Sequence, residues 1–253
     1  PFAFVGTEAS YESIVHSYRN PDEDLVVART FLTFLAGNRS YFDASKLHKR
    51  IELSMTPALV QEMGQLSKQH KTLLIGATIL DFGVMRVWDL ARIAAMSSRE
   101  AARKAITTRL IASSAIPGAF PPVNIDNYLY VDGGASMQIV SGINDRQWLY
   151  QGEPTSVDFV TPGEPIRIRI WVIINNKLVV DPEVTASTWS AIATRSLESL
   201  MRGSTLQTLQ DAETFSQLIN KRPEFDVQLR YVSIPQEFDL PESSNLFDAK
   251  AMR

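Results

Sequence analysis

The sequence predicts an α/β fold, because helical and strand-like segments alternate through most of the chain. Thr72–Leu80 is a nearly continuous apolar run, typical of a strand that is covered on both faces. Thr185–Arg222 has the composition of a long helical region, and Ile166–Ile174 before it is the longest strand candidate. This alternation predicts a layered fold with helices on both sides of a sheet.

The composition is that of one globular domain, which we expect to span residues 1–253. The chain is 45% hydrophobic and 21% charged, with a net charge of −3. No Lys/Arg-rich run is present, so nucleic acid is not an expected partner. The absence of cysteine excludes disulfides and thiolate chemistry. No apolar run has the length of a membrane span. The sequence does not indicate an oligomeric state.

Helix boundaries follow from capping residues and apolar periodicity. Thr56-Pro57 has a cap and a proline at the first helical position, and Ser97 with Glu100 has the spacing of a capping box. Gly203 predicts a break within the long helical region. The predicted helical segments are Asp22–Leu35, a short piece capped by Asp43 or Ser45, Thr56 to about Gln69, Ser97 to about Ala112, and Thr185–Arg222.

Strands are predicted from branched and aromatic content between turn residues. We expect Asp81-Phe82-Gly83 to form a turn and the second half of Ile166–Ile174 to be central in a sheet. Asn144–Gly163 has the composition of a surface excursion, and Asp239–Arg253 of a loop that ends in a short helix. The predicted strands are Thr72–Leu80, Val84–Trp88, Tyr128–Val131, Ile166–Ile174 and Phe225–Ile234.

One stretch combines features that suit an active site. Pro117 ends a helix, and Phe120-Pro121-Pro122 keeps the following loop extended and stiff. The strand after this loop leads directly into Asp132 and two glycines, Gly133-Gly134. A carboxylate at a strand end, beside residues without side chains, lies where a substrate can approach the backbone.

The same residues also fit a purely structural role. Asp-Gly after a strand is a common tight-turn signal, so Asp132-Gly133-Gly134 taken alone indicates a turn. Asp81 and Asp89 suit a strand turn and a helix cap, and we interpret both as structural. Ser113 and Ser114 either line a pocket or bond to their own helix end, and the second role is the usual one.

Two segments resemble the patatin-like phospholipases. SSAIPGAFPPV followed by YVDGG is similar to the family's region around its catalytic aspartate, and KTLLIGATILDFGVMRVWDLARIA is similar to the preceding strand pair. The resemblance implies a three-layer α/β/α patatin-like fold with a mostly parallel central sheet. It also implies a Ser-Asp dyad that works without histidine or any cofactor. Asp132 takes the catalytic role, and we expect Pro117, Phe120, Gly133 and Gly134 to contact substrate.

Pro1–Gly6 is similar to the segment that follows the nucleophile elbow, Gly-x-Ser-x-Gly, in bacterial patatin-like proteins. We therefore expect the nucleophile and the glycine-rich oxyanion loop to lie upstream of Pro1. The resemblance implies a fatty-acyl ester substrate, such as a phospholipid or lysophospholipid. It also favours an exported or membrane-associated bacterial protein with peripheral membrane contact. Phe2, Phe4 and Phe120 suit an acyl channel and core packing equally well.

Other hydrolytic mechanisms find less support in the sequence. The three histidines, His16, His48 and His70, all precede Asp132, which excludes the Ser-Asp-His order of α/β-hydrolases in this chain. Their spacing does not indicate a zinc site. Three hypotheses stay open: a lipid acyl hydrolase, a catalytically inactive patatin-like lipid-binding or scaffold protein, and an α/β domain in which the proline loop and Asp-Gly-Gly form only a rigid turn.

Overall fold

The structure, a computed structural model, describes residues 1–20, 25–28, 40–96, 98–139, 164–179, 182 and 184–238. Two compact units divide the chain. The first contains Pro1–Ser136, and the second lies within Met137–Asp239. Helices and strands occur in both units, which confirms the α/β class. The expectation of a single domain over 1–253 stays a prediction.

Local signals set the helix ends of the first unit. Thr56 accepts a hydrogen bond from the Leu59 N–H, and Pro57 occupies the first helical position, as predicted. The predicted cap at Ser97 is wrong, because Ser98 accepts the bond from the Ala101 N–H. In the part of this unit that the structure describes, the helices are α1 (Phe2–Val5), α2 (Glu8–Arg19), α3 (Ser45–Ser54), α4 (Pro57–Ser67), α5 (Leu90–Met96) and α6 (Arg99–Ser113).

A four-stranded sheet forms the centre of the first unit. Its strands are β3 (Leu74–Ile79), β4 (Val84–Asp89), β5 (Val123–Ile125) and β6 (Tyr128–Asp132), and their spatial order is β4-β3-β6-β5. All three pairings are antiparallel, so the expected mostly parallel arrangement is not found in this sheet. The pairs β3–β4 and β5–β6 are joined by short hairpins, which cannot be parallel because a parallel neighbour needs a crossover of a dozen or more residues. The β3–β6 pair is antiparallel although α5, α6 and β5 lie between its strands in sequence.

The β5–β6 hairpin was not predicted. Asp126 and Asn127 connect the strands with φ values of 52° and 68°. Two consecutive residues with positive φ are typical of the type I′ turn that favours Asn and Asp. Strand β5 is only three residues long and follows two prolines, so its alternation is too short to identify from sequence. A smaller antiparallel pair joins β1 (Val27–Ala28) to β2 (Phe42–Asp43).

Two groups of buried side chains stabilise the first unit. Helices α4 and α6 provide most of the first group, in which Met63 and Ile106 are fully buried. Phe2 and Phe4 of α1 pack against this group, which supports the core-packing alternative for them. The second group lies between the sheet and α6 and is made of Ala77, Ile79, Ala112, Ile125 and Tyr130.

In its described residues, the second unit contains one parallel strand pair and one long helix. Strands β7 (Ile166–Lys177) and β8 (Phe225–Ile234) pair in parallel, and α7 (Trp189–Ile219) lies between them in sequence. The predicted break at Gly203 is wrong, since the 31-residue helix α7 continues through this position. The second half of β7 is not central, because Trp171 and Ile173 are 66% and 84% exposed.

Several predictions concern residues that the structure does not describe. The Asn144–Gly163 excursion and the Asp239–Arg253 tail lie outside the described residues. Most of the helix predicted for Asp22–Leu35 does too, and the described part contains the strand Val27–Ala28 instead. Among the described helices, none is both long enough and apolar enough to span a bilayer.

Candidate active site

Asp132 is the last residue of β6 and begins a short 3₁₀ turn, Gly133–Ala135. Its main-chain N–H donates to the Ala115 carbonyl oxygen at 2.8 Å, and β6 pairs it with Ala77 of β3. The main chain on both sides of the carboxylate is therefore fixed. The side chain is half-buried at the end of the strand.

One oxygen of the Asp132 carboxylate caps the turn. Oδ1 accepts a hydrogen bond from the Gly134 N–H at 2.7 Å. Burial raises the pKa of Asp132 above its usual value, and the Gly134 N–H partly opposes this effect by stabilising the charged form. Among the hydrogen bonds of the described residues, none involves Oδ2 of Asp132. A half-buried carboxylate with raised pKa and one available oxygen can accept a proton.

Gly133 is required by packing. A Cβ atom at this position would lie 2.7 Å from the Gly76 carbonyl oxygen and 3.0 Å from the Gly76 carbonyl carbon. These are main-chain atoms of β3, so they cannot move aside as a flexible side chain would. The first glycine after Asp132 therefore lets the turn lie against the neighbouring strand.

Thr78 holds the turn from the adjacent strand. Its hydroxyl donates to the Asp132 and Gly133 carbonyl oxygens at 3.0 and 3.3 Å and lies 2.8 Å from the Ser136 hydroxyl. Thr78 is buried. The sequence analysis did not identify it, because the contact depends on the pairing of β3 with β6, which no local pattern shows.

The proline loop is fixed by main-chain hydrogen bonds. The carbonyl oxygens of Gly118 and Ala119 each accept a bond of 2.9 Å, from the N–H groups of Tyr41 and Phe42. Gly118 has a φ of 79°, a conformation that favours glycine. The loop is thus held at two places: at Ala115, whose carbonyl oxygen bonds to the Asp132 N–H, and at Gly118 and Ala119, which bond to the chain at the start of β2.

The residues predicted to contact substrate have different environments. Gly133 and Gly134 adjoin Asp132 in sequence. Pro117 and Phe120 belong to the loop that follows Ala115, whose carbonyl oxygen accepts the hydrogen bond from the Asp132 N–H. Phe120 is buried, and its ring centroid lies 6.0 Å from that of Phe42. This packing favours a core role for Phe120. Substrate contact by these residues stays a prediction.

The aspartates interpreted as structural have that role. Asp81 accepts a hydrogen bond from the Leu129 N–H at 3.1 Å, which connects the β3–β4 turn to β6. Asp89 accepts bonds from the N–H groups of Leu73, Ala91 and Arg92, and so caps the start of α5. The Ser114 hydroxyl donates to the Leu110 and Ile111 carbonyl oxygens, as expected for a serine that satisfies its own helix end.

Comparison with known proteins shows the family to which the chain belongs. The family model described as patatin-like phospholipase matches residues 3–140, which is more than half of the chain. The chain belongs to the patatin-like phospholipase family. Patatin-like proteins are generally hydrolases of lipid esters. A comparison with curated proteins gave no significant match.

The patatin match covers nearly all of the first unit and ends shortly after Asp132. The second unit lies almost entirely beyond it. The patatin-like part of the chain therefore contains the aspartate turn, the proline loop and the sheet that positions them.

Among the described residues, no group of three or more His, Asp or Glu side chains could hold a metal ion.

Proposed function

We propose that the protein is a lipid acyl hydrolase that uses a Ser-Asp dyad, with Asp132 as the general base. The single observation that carries the proposal is the placement of Asp132: a half-buried carboxylate at a strand end, held through the main chain and included in the patatin match. The serine nucleophile and the oxyanion loop are proposed to come from sequence upstream of Pro1.

The reaction proceeds through a covalent acyl-serine. The serine oxygen attacks the ester carbonyl while Asp132 accepts the proton of the serine hydroxyl. Asp132 then returns this proton to the leaving alcohol. Asp132 then accepts a proton from the water that hydrolyses the acyl-serine and restores the serine hydroxyl. Main-chain N–H donors stabilise the oxyanion, and loss of one such donor typically costs about 2.7–4 kcal/mol.

The raised pKa of Asp132 supports its role as a base. An ordinary aspartate is a weak base for a serine hydroxyl, and burial strengthens its proton affinity. The Gly134 N–H bonds to Oδ1, which keeps the carboxylate oriented. A fatty-acyl ester, a phospholipid or lysophospholipid, is the proposed substrate. Peripheral membrane contact and a bacterial envelope location are part of the same proposal.

The test compares two aspartates in the full-length protein that carries the upstream serine. Asp132→Asn preserves the shape of the side chain and an oxygen acceptor for the Gly134 N–H, but removes the base. We expect hydrolysis of a short-chain nitrophenyl ester to fall at least about 100-fold in kcat, because general-base catalysis typically contributes that much. Asp126→Asn on the same hairpin is the matched control and retains activity.

The outcome also separates the alternatives. Full activity in Asp132→Asn removes Asp132 from the mechanism. An inactive wild-type protein that carries an intact Gly-x-Ser-x-Gly and still binds lipid supports the non-catalytic lipid-binding hypothesis instead. The acid limb of the wild-type kcat/KM profile gives a second measurement, since a raised pKa of Asp132 moves this limb to higher pH than an ordinary aspartate gives.

A further inference from the structure

Two arginines meet at one indole ring on the sheet of the first unit. The guanidinium carbon of Arg86 lies 5.7 Å from the Trp88 ring centroid, and that of Arg109 lies 5.2 Å from it. Arg86 and Trp88 alternate along β4 and so share one face of the sheet, whereas Arg109 comes from α6. Each cation gains from the ring, but the two positive charges repel each other.

These cations have no carboxylate partner within ion-pair distance in the part of the chain that the structure describes. Asp126 in the β5–β6 turn is exposed and acts on Arg109 only through its charge. Its charge raises the pKa of Arg109, but burial is the larger influence and lowers it, as does the charge of Arg86. The positive charge of the pair is therefore only partly balanced.

Hydrogen-bond donors at this place are also unused. The Arg109 Nη1 donates to the Ala105 carbonyl oxygen at 2.9 Å, whereas its Nε is buried and has no partner. Arg86 Nη1 donates to the Tyr130 hydroxyl across a long 3.4 Å. Tyr130 is fully buried, and none of the described hydrogen bonds uses its O–H as donor. The Arg109 guanidinium is only partly buried and carries five N–H donors, so it has donors left for a further acceptor.

We propose that the guanidinium groups of Arg86 and Arg109 bind a phosphate group beside the Trp88 ring. A phosphate carries negative charge and acceptor oxygens in several directions, which suits donors that arrive from β4 and α6. Guanidinium groups bind phosphate through charge-assisted hydrogen bonds. The phosphate comes either from inorganic phosphate or from the monoester headgroup of a lipid.

The first experiment measures inorganic phosphate binding to the full-length protein by isothermal titration calorimetry, in chloride buffer of constant ionic strength. Arg86→Met and Arg109→Met each remove a guanidinium and keep an apolar stem. We expect each to weaken phosphate binding at least about tenfold, as loss of a charge-assisted hydrogen bond does. Arg92→Met, an exposed arginine of α5, is the matched control and leaves binding unchanged.

Folding is checked by thermal unfolding in chloride alone. If Arg109→Met unfolds, Arg109→Lys replaces it, because lysine keeps the charge and loses the Nε donor; we expect the same loss of phosphate binding. Absence of phosphate binding by the wild-type protein overturns the proposal. Equal binding by wild type and an Arg86→Met/Arg109→Met double variant also overturns it.

A second arm identifies the source of the phosphate. Water-soluble short-chain phosphatidic acid is compared with inorganic phosphate and with diacylglycerol of the same chain length. Tighter binding of phosphatidic acid, lost in the double variant, assigns the site to a lipid headgroup. Equal affinity for both phosphates assigns it to free phosphate. Binding of diacylglycerol as tightly as phosphatidic acid contradicts phosphate recognition.

Discussion

The two units of the chain use apolar residues in different ways. In the first, β3 and β6 provide Ala77 and Tyr130, which are fully buried, and both strands have neighbours on each side. In the second, β7 is at least as apolar in its second half, yet Trp171 and Ile173 are largely exposed. Apolar content alone therefore does not predict burial, which also depends on what packs over each face.

The connections of the strands differ as well. In the first unit, β3–β4 and β5–β6 are hairpins that join residues near in sequence, whereas β3–β6 is a long-range pairing. In the second, a 31-residue helix separates the two strands that pair. The aspartate turn belongs to the unit with short-range hairpins and tightly packed main chain. The predictions below test whether this difference in packing is also a difference in stability.

The largest expected effect is a matched pair of isoleucine truncations. Ile106→Ala removes a fully buried side chain from the first unit and should lower the free energy of unfolding by about 2–5 kcal/mol. Ile173→Ala in the second unit truncates a side chain that is 84% exposed. It should change the free energy of unfolding by less than about 1 kcal/mol. Urea denaturation followed by circular dichroism measures both. Equal losses would contradict the comparison.

Gly133→Ala should destabilise the first unit by about 1–3 kcal/mol, because the new Cβ overlaps the Gly76 main chain and forces β6 away from β3. Gly76→Ala is the control, since its Cβ meets only the flexible Met85 side chain. We expect Gly76→Ala to lose less stability than Gly133→Ala, as measured by thermal unfolding. A stable Gly133→Ala variant would show that the turn does not need the close approach.

Gly203→Ala should have the opposite sign. Apart from its chain neighbours and the backbone of its own helix, no atom of the described residues lies within 4 Å of a Cβ built at Gly203, and α7 is continuous there. Alanine is the better helix former, so the substitution should raise the free energy of unfolding by about 0.5–1 kcal/mol. The same denaturation assay applies. A decrease would indicate that Gly203 makes a contact that a side chain disturbs.

The smallest effect concerns the charge of Asp132. Its pKa is raised by burial, so ionisation removes stability as pH rises from the unfolded pKa through the folded one. Asp132→Asn should therefore be more stable than wild type near about pH 7, and the difference should vanish near about pH 3, where both states are protonated. Thermal unfolding across this range, with Asp126→Asn as control, checks the sign. Lower stability at neutral pH would contradict it.

Local signals in the sequence predicted much of the first unit. The Thr56-Pro57 helix start, the apolar run of β3 and the turn at Asp81 depend on residues close in sequence, and the structure confirms them. Asp132 at the end of β6 was predicted in the same way.

The features that the sequence analysis missed depend on long-range pairing. The antiparallel order of the sheet and the Gly133–Gly76 contact depend on which strand pairs with β6. Thr78 acquires its role from the same pairing. At Gly203 a weak local signal for a break was overridden, because one glycine costs a helix only about 1 kcal/mol.

The hydrogen bond between the Asp132 N–H and the Ala115 carbonyl has an evolutionary consequence. Since backbone atoms alone form it, exchanging side chains in the intervening segment leaves the bond itself in place. Mutations there can reshape the surroundings of the acid while its location persists. Such a scaffold allows new specificities to arise without rebuilding the reactive group.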